Sequence, residues 1–175
     1  MDTRTFRLEI KALDDAQGTF DGYASTFGNQ DAYHDVVEPG AFTNTLAEGR
    51  ALPILWQHNP DEPIGVILEA SEDPLGLRVK GQLVLDAARG RESYALLKAG
   101  VIRGLSIGFE TVRYTIDAAQ QVRRLQEIRL WECSLVTFPA NPRANVSAVK
   151  SRDPGEAAVR ETLRAMRADV AALGG

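Results

Sequence analysis

Ser106 stands in Gly104-Leu105-Ser106-Ile107-Gly108-Phe109. Read as a strand, this run sends Leu105, Ile107 and Phe109 to a core, and the serine faces the other way between two glycines. Gly104 and Gly108 leave bare backbone beside the hydroxyl, room for an extended peptide. A serine hydroxyl attacks a carbonyl only when an adjacent base takes its proton, and histidine is the usual base. The chain has two histidines, His34 and His58. His34 lies in the polar loop Asp31-Ala32-Tyr33-His34-Asp35, where an exposed histidine without a catalytic role is expected. His58 ends the apolar strand Ile54-Leu55-Trp56-Gln57-His58 ahead of Asn59-Pro60, where a rigid element can aim a ring into a cleft.

The third side chain is Glu132, in Ile128-Arg129-Leu130-Trp131-Glu132-Cys133-Ser134-Leu135-Val136. Unbroken alternation places it on one face with Ile128, Leu130, Ser134 and Val136. A carboxylate among such neighbours needs a partner, because burying it unpaired costs several kcal/mol. An imidazole meets that need, and a carboxylate on the ring nitrogen remote from a serine would fix the tautomer. The bland alternatives are a serine idle in a barrel-corner strand, a structural histidine at a strand end, and Arg103 or Arg129 as the partner of Glu132. Cys133 has the opposite parity and reads as buried core.

The elements that must position these groups are mostly strands. Residues 6–27 alternate, with breaks at Asp14-Asp15 and Gly18, which predicts a hairpin whose second strand starts at Thr19. The stretch 31–40 is polar and irregular, and Pro39 opens a short helix over 40–48 with Phe42 and Leu46 one turn apart. Strands are expected over 52–58, 64–70 and 77–85. Asp86 is placed to cap a helix running to about Ala99, with Gly100 as its stop. Residues 104–114 and 126–137 read as an antiparallel pair joined by a polar connection at 117–121, where Arg123 and Arg124 mark a candidate region for oxyanion donors. The fold class expected is α+β, mainly β: an antiparallel β-barrel with flanking helices.

Residues 1–150 read as one domain. After the breakers Pro139 and Pro142 comes a tail, 151–175, in which the run from Pro154 to Gly175 places Val159, Leu163, Met166, Val170 and Leu173 on one face of an amphipathic helix.

Composition narrows the functions. The chain has 175 residues, 44% of them hydrophobic and 25% charged, which is enough apolar matter for one core. A formal net charge of −4 argues against a broad basic face for nucleic acid. No run of about eighteen apolar residues exists to cross a membrane, and no signal-peptide core opens the chain. A cytoplasmic protein is expected. One cysteine and two histidines are too few for a dedicated zinc site, so no metal and no cofactor are expected.

Leu55-Trp56-Gln57-His58-Asn59, Gly104-Leu105-Ser106-Ile107-Gly108-Phe109 and Glu132-Cys133-Ser134-Leu135-Val136-Thr137-Phe138-Pro139-Ala140-Asn141, in that order, resemble the phage prohead (capsid maturation) serine protease family. Val36-Val37-Glu38-Pro39-Gly40-Ala41-Phe42 and Pro63-Ile64-Gly65 extend the likeness to about residues 5 to 150. The resemblance implies a herpesvirus-protease-like fold, with Ser106 as nucleophile, His58 as base and Glu132 as the third member. It further implies cleavage of scaffolding and major capsid proteins, and of the chain itself, inside an assembling procapsid in the host cytoplasm, with a homodimer as one means of control. Two rivals stand beside it: a catalytically inactive capsid-assembly module, and a cysteine hydrolase built on Cys133 and His58.

Overall fold

The computed structural model describes residues 2–7, 13–14 and 18–138. The tail at 151–175 and the Pro139-Ala140-Asn141 part of the third motif lie outside the described residues. Among the described residues nine strands form one sheet, eight of them in the order β1 (Asp2–Arg7), β8 (Gly104–Asp117), β9 (Val122–Val136), β5 (Leu52–Trp56), β6 (Asn59–Glu72), β7 (Gly76–Leu83), β3 (Thr19–Thr26), β2 (Leu13–Asp14). The short β4 (Asp35–Val37) pairs with β9 off this path. The sheet curls until β3 lies near β1 and β8, and no ladder among the described residues closes it into a barrel.

Alternation builds the inner face. In β7 Leu77, Val79 and Leu83 are buried, and in β8 Leu105, Ile107 and Phe109 are fully buried. They meet Phe20, Phe42, Ile54 and Ile64 in one apolar cluster. The connection after β4 carries α1 (Thr43–Ala47), whose preceding Phe42 is buried as its spacing predicts. Between β7 and β8 runs α2 (Ala88–Lys98), ended by Gly100 at φ +69°, a left-handed conformation that glycine adopts without strain. Asp86 does not cap α2: the N-cap is Ala87, without a side-chain cap, and Arg91 instead donates to the carbonyls of Leu85 and Asp86.

The expectation of an antiparallel barrel is corrected by two parallel ladders, β4 with β9 and β5 with β9. Both strands share the edge of β9 opposite β8, so β9 is paired along both sides near its ends. Between them the edge is satisfied by other groups: Ile128 N–H donates to the Ala41 carbonyl, Leu130 N–H to Thr45 Oγ1, and Arg50 Nη2 to the Leu130 carbonyl. Short helix and loop thus continue the work of a strand. The segment 31–40, read as irregular, contains β4, held by a bidentate Arg123–Asp35 pair at 2.8 Å with Asp35 only 1% exposed. The predicted hairpin at residues 6–27 is narrower than expected: β2 pairs with β3, whereas β1 crosses to pair with β8.

Nor do Asn59 and Pro60 end a strand. Asn59 opens β6 as the partner of Trp56. Pro60 and Pro63 precede Gly65, where the β6–β7 ladder begins, so their missing N–H groups break no bond to β7.

Candidate active site

Because Asn59 pairs with Trp56, only Gln57 and His58 connect β5 to β6. Their φ values are 52° and 61°, the left-handed pair that a two-residue turn of type I′ demands. Asparagine and glycine usually serve there. Each non-glycine residue in this region costs about 1–2 kcal/mol of backbone strain, a cost that clusters at sites where a side chain must be aimed.

The turn is clamped to the end of β9. Ile54, Leu55 and Trp56 pair in parallel with Cys133, Ser134 and Leu135, and Gln57 N–H extends this ladder to the Leu135 carbonyl at 3.0 Å. The Gln57 side chain then reaches over β9, its Nε2 donating to Thr137 Oγ1 at 2.7 Å and its Oε1 accepting Thr137 N–H at 3.4 Å. His58 is left facing Glu132.

His58 Nδ1 lies 2.7 Å from Glu132 Oε1. The second carboxylate oxygen accepts a 2.6 Å hydrogen bond from Ser134 Oγ, which in turn accepts His58 N–H at 3.1 Å. Glu132 is 2% exposed and Ser134 fully buried. A carboxylate so deep must be paired, and the two short contacts do this. Because the carboxylate is the acceptor, Nδ1 carries a proton, and in the neutral ring Nε2 then presents the lone pair, the tautomer a general base needs. Nε2 is inaccessible to solvent and has no hydrogen-bond partner among the described residues.

Ser106 is opposite Ser134 in the β8–β9 ladder, and Gly108 is opposite Glu132. Serine, carboxylate and histidine therefore gather at one face of the sheet. The structure pairs His58 with Glu132, and no hydrogen bond joins Nε2 to Ser106. Ser106 is 0% exposed and its glycine neighbours are buried, so the open peptide cleft expected beside the hydroxyl is a closed surface here.

One expectation about Glu132 fails for a specific reason. Gly108 pairs with Glu132 and Phe109 with Leu130, so Trp131 is an extra residue, a β-bulge. Ile128 and Leu130 before it, and Cys133 and Leu135 after it, all join the core cluster. Glu132 therefore keeps company with Ser134 but not with Ile128 and Leu130. Neither arginine considered as its partner is near it in the bonding pattern: Arg129 faces Glu48 and Glu110, and Arg103 Nε donates to the Gly100 carbonyl. Arg123 and Arg124 are corrected as oxyanion candidates. They are eight or more residues up β9 from Glu132, about 25 Å along a strand, and they bind Asp35, Glu38 and Asp117. His34 is exposed, its Nδ1 2.6 Å from Gln30 Nε2.

Ser134 and Gln57 were both within the sequence motifs, yet their positioning contacts were missed. The serine's signal is its place between core residues Cys133 and Leu135, where an idle hydroxyl would be costly.

Cys133 is fully buried on the core face, and burial, followed by the neighbouring Glu132 charge, pushes its thiol far above the ordinary range. Iodoacetamide at neutral pH is expected to leave native Cys133 unmodified and to alkylate it only after unfolding. Rapid stoichiometric alkylation of the folded chain would bring the thiol back as a candidate nucleophile. Among the described residues, no cluster of three His, Cys, Asp or Glu side chains is arranged to hold a metal ion.

The chain is 38% identical over 151 residues to the prohead protease of Enterobacteria phage HK97, covering 83% of this chain and 66% of that protein. It is 39% identical over 152 residues to the capsid polyprotein of Pseudomonas phage PAJU2, covering 83% of this chain and 22% of that one. The matched stretch thus spans less than two thirds of either relative. In fold, it is similar to the bacteriophage T4 capsid assembly protease, with a TM-score of 0.64 at 14% identity over 79% of this chain and 97% of that chain. The family described as caudovirus prohead serine protease matches residues 6–157, a span that takes in the turn at His58, the strand of Ser106 and the bulge before Glu132, and the chain belongs to that family.

Proposed function

We propose that this chain is a serine endopeptidase that cleaves scaffold or capsid-protein segments, and itself, during phage procapsid maturation. The observation that carries the reading is the His58 ring, fixed at Nδ1 by a buried carboxylate 2.7 Å away while Nε2 is left unclaimed on the face where Ser106 resides. A non-catalytic assembly module gains nothing from a strained turn and a buried carboxylate that hold one imidazole lone pair ready. The curled sheet suits the herpesvirus-protease-like arrangement that the motifs imply. That a relative is a capsid polyprotein supports a capsid protein as substrate.

The reaction is acyl transfer. His58 Nε2 takes the Ser106 proton as Oγ attacks the peptide carbonyl, and the protonated ring then gives that proton to the departing amine. Water enters, loses a proton to Nε2 and frees the acyl group, returning Ser106 to its hydroxyl form. Apo geometry at such sites commonly tightens only when substrate binds, which accommodates a Ser106–His58 contact that is open at rest. The setting is the host cytoplasm, inside the assembling shell, and confinement there or homodimerisation would keep the enzyme silent until its substrates surround it.

Co-expression with the cognate major capsid and scaffolding proteins, followed by intact-mass measurement, is expected to yield shortened products with the wild-type chain and none with His58→Ala. Assembled shells whose proteins all keep their full mass would favour an assembly role without catalysis.

A further inference from the structure

Three residues close a ring around the base. His58 N–H donates to Ser134 Oγ at 3.1 Å, Ser134 Oγ–H donates to Glu132 Oε2 at 2.6 Å, and Glu132 Oε1 accepts from His58 Nδ1 at 2.7 Å. Ser134 is the member that touches both the backbone of the histidine and the carboxylate that orients its ring. In a two-residue turn of this type the N–H of the second central residue has no partner of its own within the hairpin, and at His58 the serine hydroxyl accepts it. The same hydroxyl spends its single proton on Oε2, so both of its roles are used and the direction of every bond in the ring is set.

We infer that Ser134 is a positioning residue for the reaction: it fixes the Glu132 carboxylate and the His58 backbone relative to each other, and so sets the direction in which the ring presents Nε2. This rests on the peptidase reading above and adds to it a residue that never meets the substrate. The hydroxyl is fully buried and lies opposite Ser106 in the ladder. Without it the buried Oε2 and the part-buried His58 N–H would both lose their partner, and the carboxylate would be free to turn about its own axis. A buried donor to a charged acceptor is among the stronger hydrogen bonds a protein makes.

The test has one arm that needs no activity. In the full chain carrying Ser106→Ala, which prevents self-digestion, the His58 Nδ1 proton is followed by NMR for its exchange with solvent. Adding Ser134→Ala is expected to speed that exchange about ten-fold or more, the scale of one hydrogen bond to a charged group. In the second arm, with Ser106 intact, Ser134→Ala is expected to lower kcat by about ten- to a hundred-fold with KM within about two-fold, on the same scale. Ser134→Thr, which keeps the hydroxyl, should recover most of the loss in either arm. Unchanged exchange and unchanged kcat in Ser134→Ala, even with a lower melting temperature, would make Ser134 a structural serine and overturn the inference. Should His58→Ala cleave as well as wild type while Ser134→Ala still speeds exchange, Ser134 orders the ring but His58 is not the base, and the positioning role in the reaction falls with it.

Discussion

Ser106→Ala is expected to lower cleavage of the capsid substrates by about 10⁴-fold or more, the scale seen when the nucleophile is taken from a serine triad. The loss should appear in kcat. The substitution removes one oxygen from a fully buried position on β8 between Gly104 and Gly108, and the flanking Leu105 and Ile107 that build the core are untouched. The melting temperature should therefore move little, so a dead variant cannot be blamed on a lost fold. Intact-mass spectra of substrate mixed with each protein check both the rate and the site. Cleavage that persists at more than a hundredth of the wild-type rate would place the nucleophile elsewhere, and the alkylation experiment on Cys133 would then become the next step.

Glu132→Gln should cost nearly as much, roughly 10³ to 10⁴ in kcat, through the tautomer rather than through lost charge alone. Ser134 donates to the Oε2 position, which makes that position prefer the amide oxygen of a glutamine. The amide nitrogen is then turned toward His58 Nδ1, 2.7 Å away, and two donors cannot face each other. The ring answers by moving its proton to Nε2, where it no longer accepts from Ser106. A nitrogen-15 spectrum of the variant should show the protonated nitrogen switched from Nδ1 to Nε2. A Gln variant that keeps Nδ1–H and works within ten-fold of wild type would remove Glu132 from the mechanism.

The parts of this arrangement that could be read from sequence are those that rest on simple periods. Leu105, Ile107 and Phe109 assign Ser106 to the opposite face from alternation alone, and the same rule finds β7 and the β8–β9 pair. The histidine that pairs with Glu132 is separable from His34 by its apolar strand. What could not be read depends on contacts between distant residues. Gln57-His58 lacks the Asn-Gly chemistry that announces a two-residue turn, because the backbone strain is offset by the clamp on Leu135 and Thr137. β4 is three residues long and its register is held by the Arg123–Asp35 pair, so no periodicity marks it. The parallel pairing of β5 with β9 spans three ladder positions, too few to leave a pattern, and it is what carries His58 to Glu132.

Trp131 is the most informative of the hidden features. Take it out of the written sequence and β9 reads Ile128-Arg129-Leu130-Glu132-Cys133-Ser134-Leu135, an unbroken alternation. Such a strand would still deliver Leu130, Cys133 and Leu135 inward, and Glu132 with Ser134 outward, the sorting the bulge now achieves. Sorting side chains between the two faces therefore does not require the extra residue, whose ring carries the Arg50 guanidinium 4.8 Å from its centre. A bulge bends its strand and deepens the local twist, and this one immediately precedes the carboxylate that pairs with His58. The extra residue thus sets the angle at which one carboxylate leaves the sheet, and the sorting of β9 between core and surface is the same with it or without it.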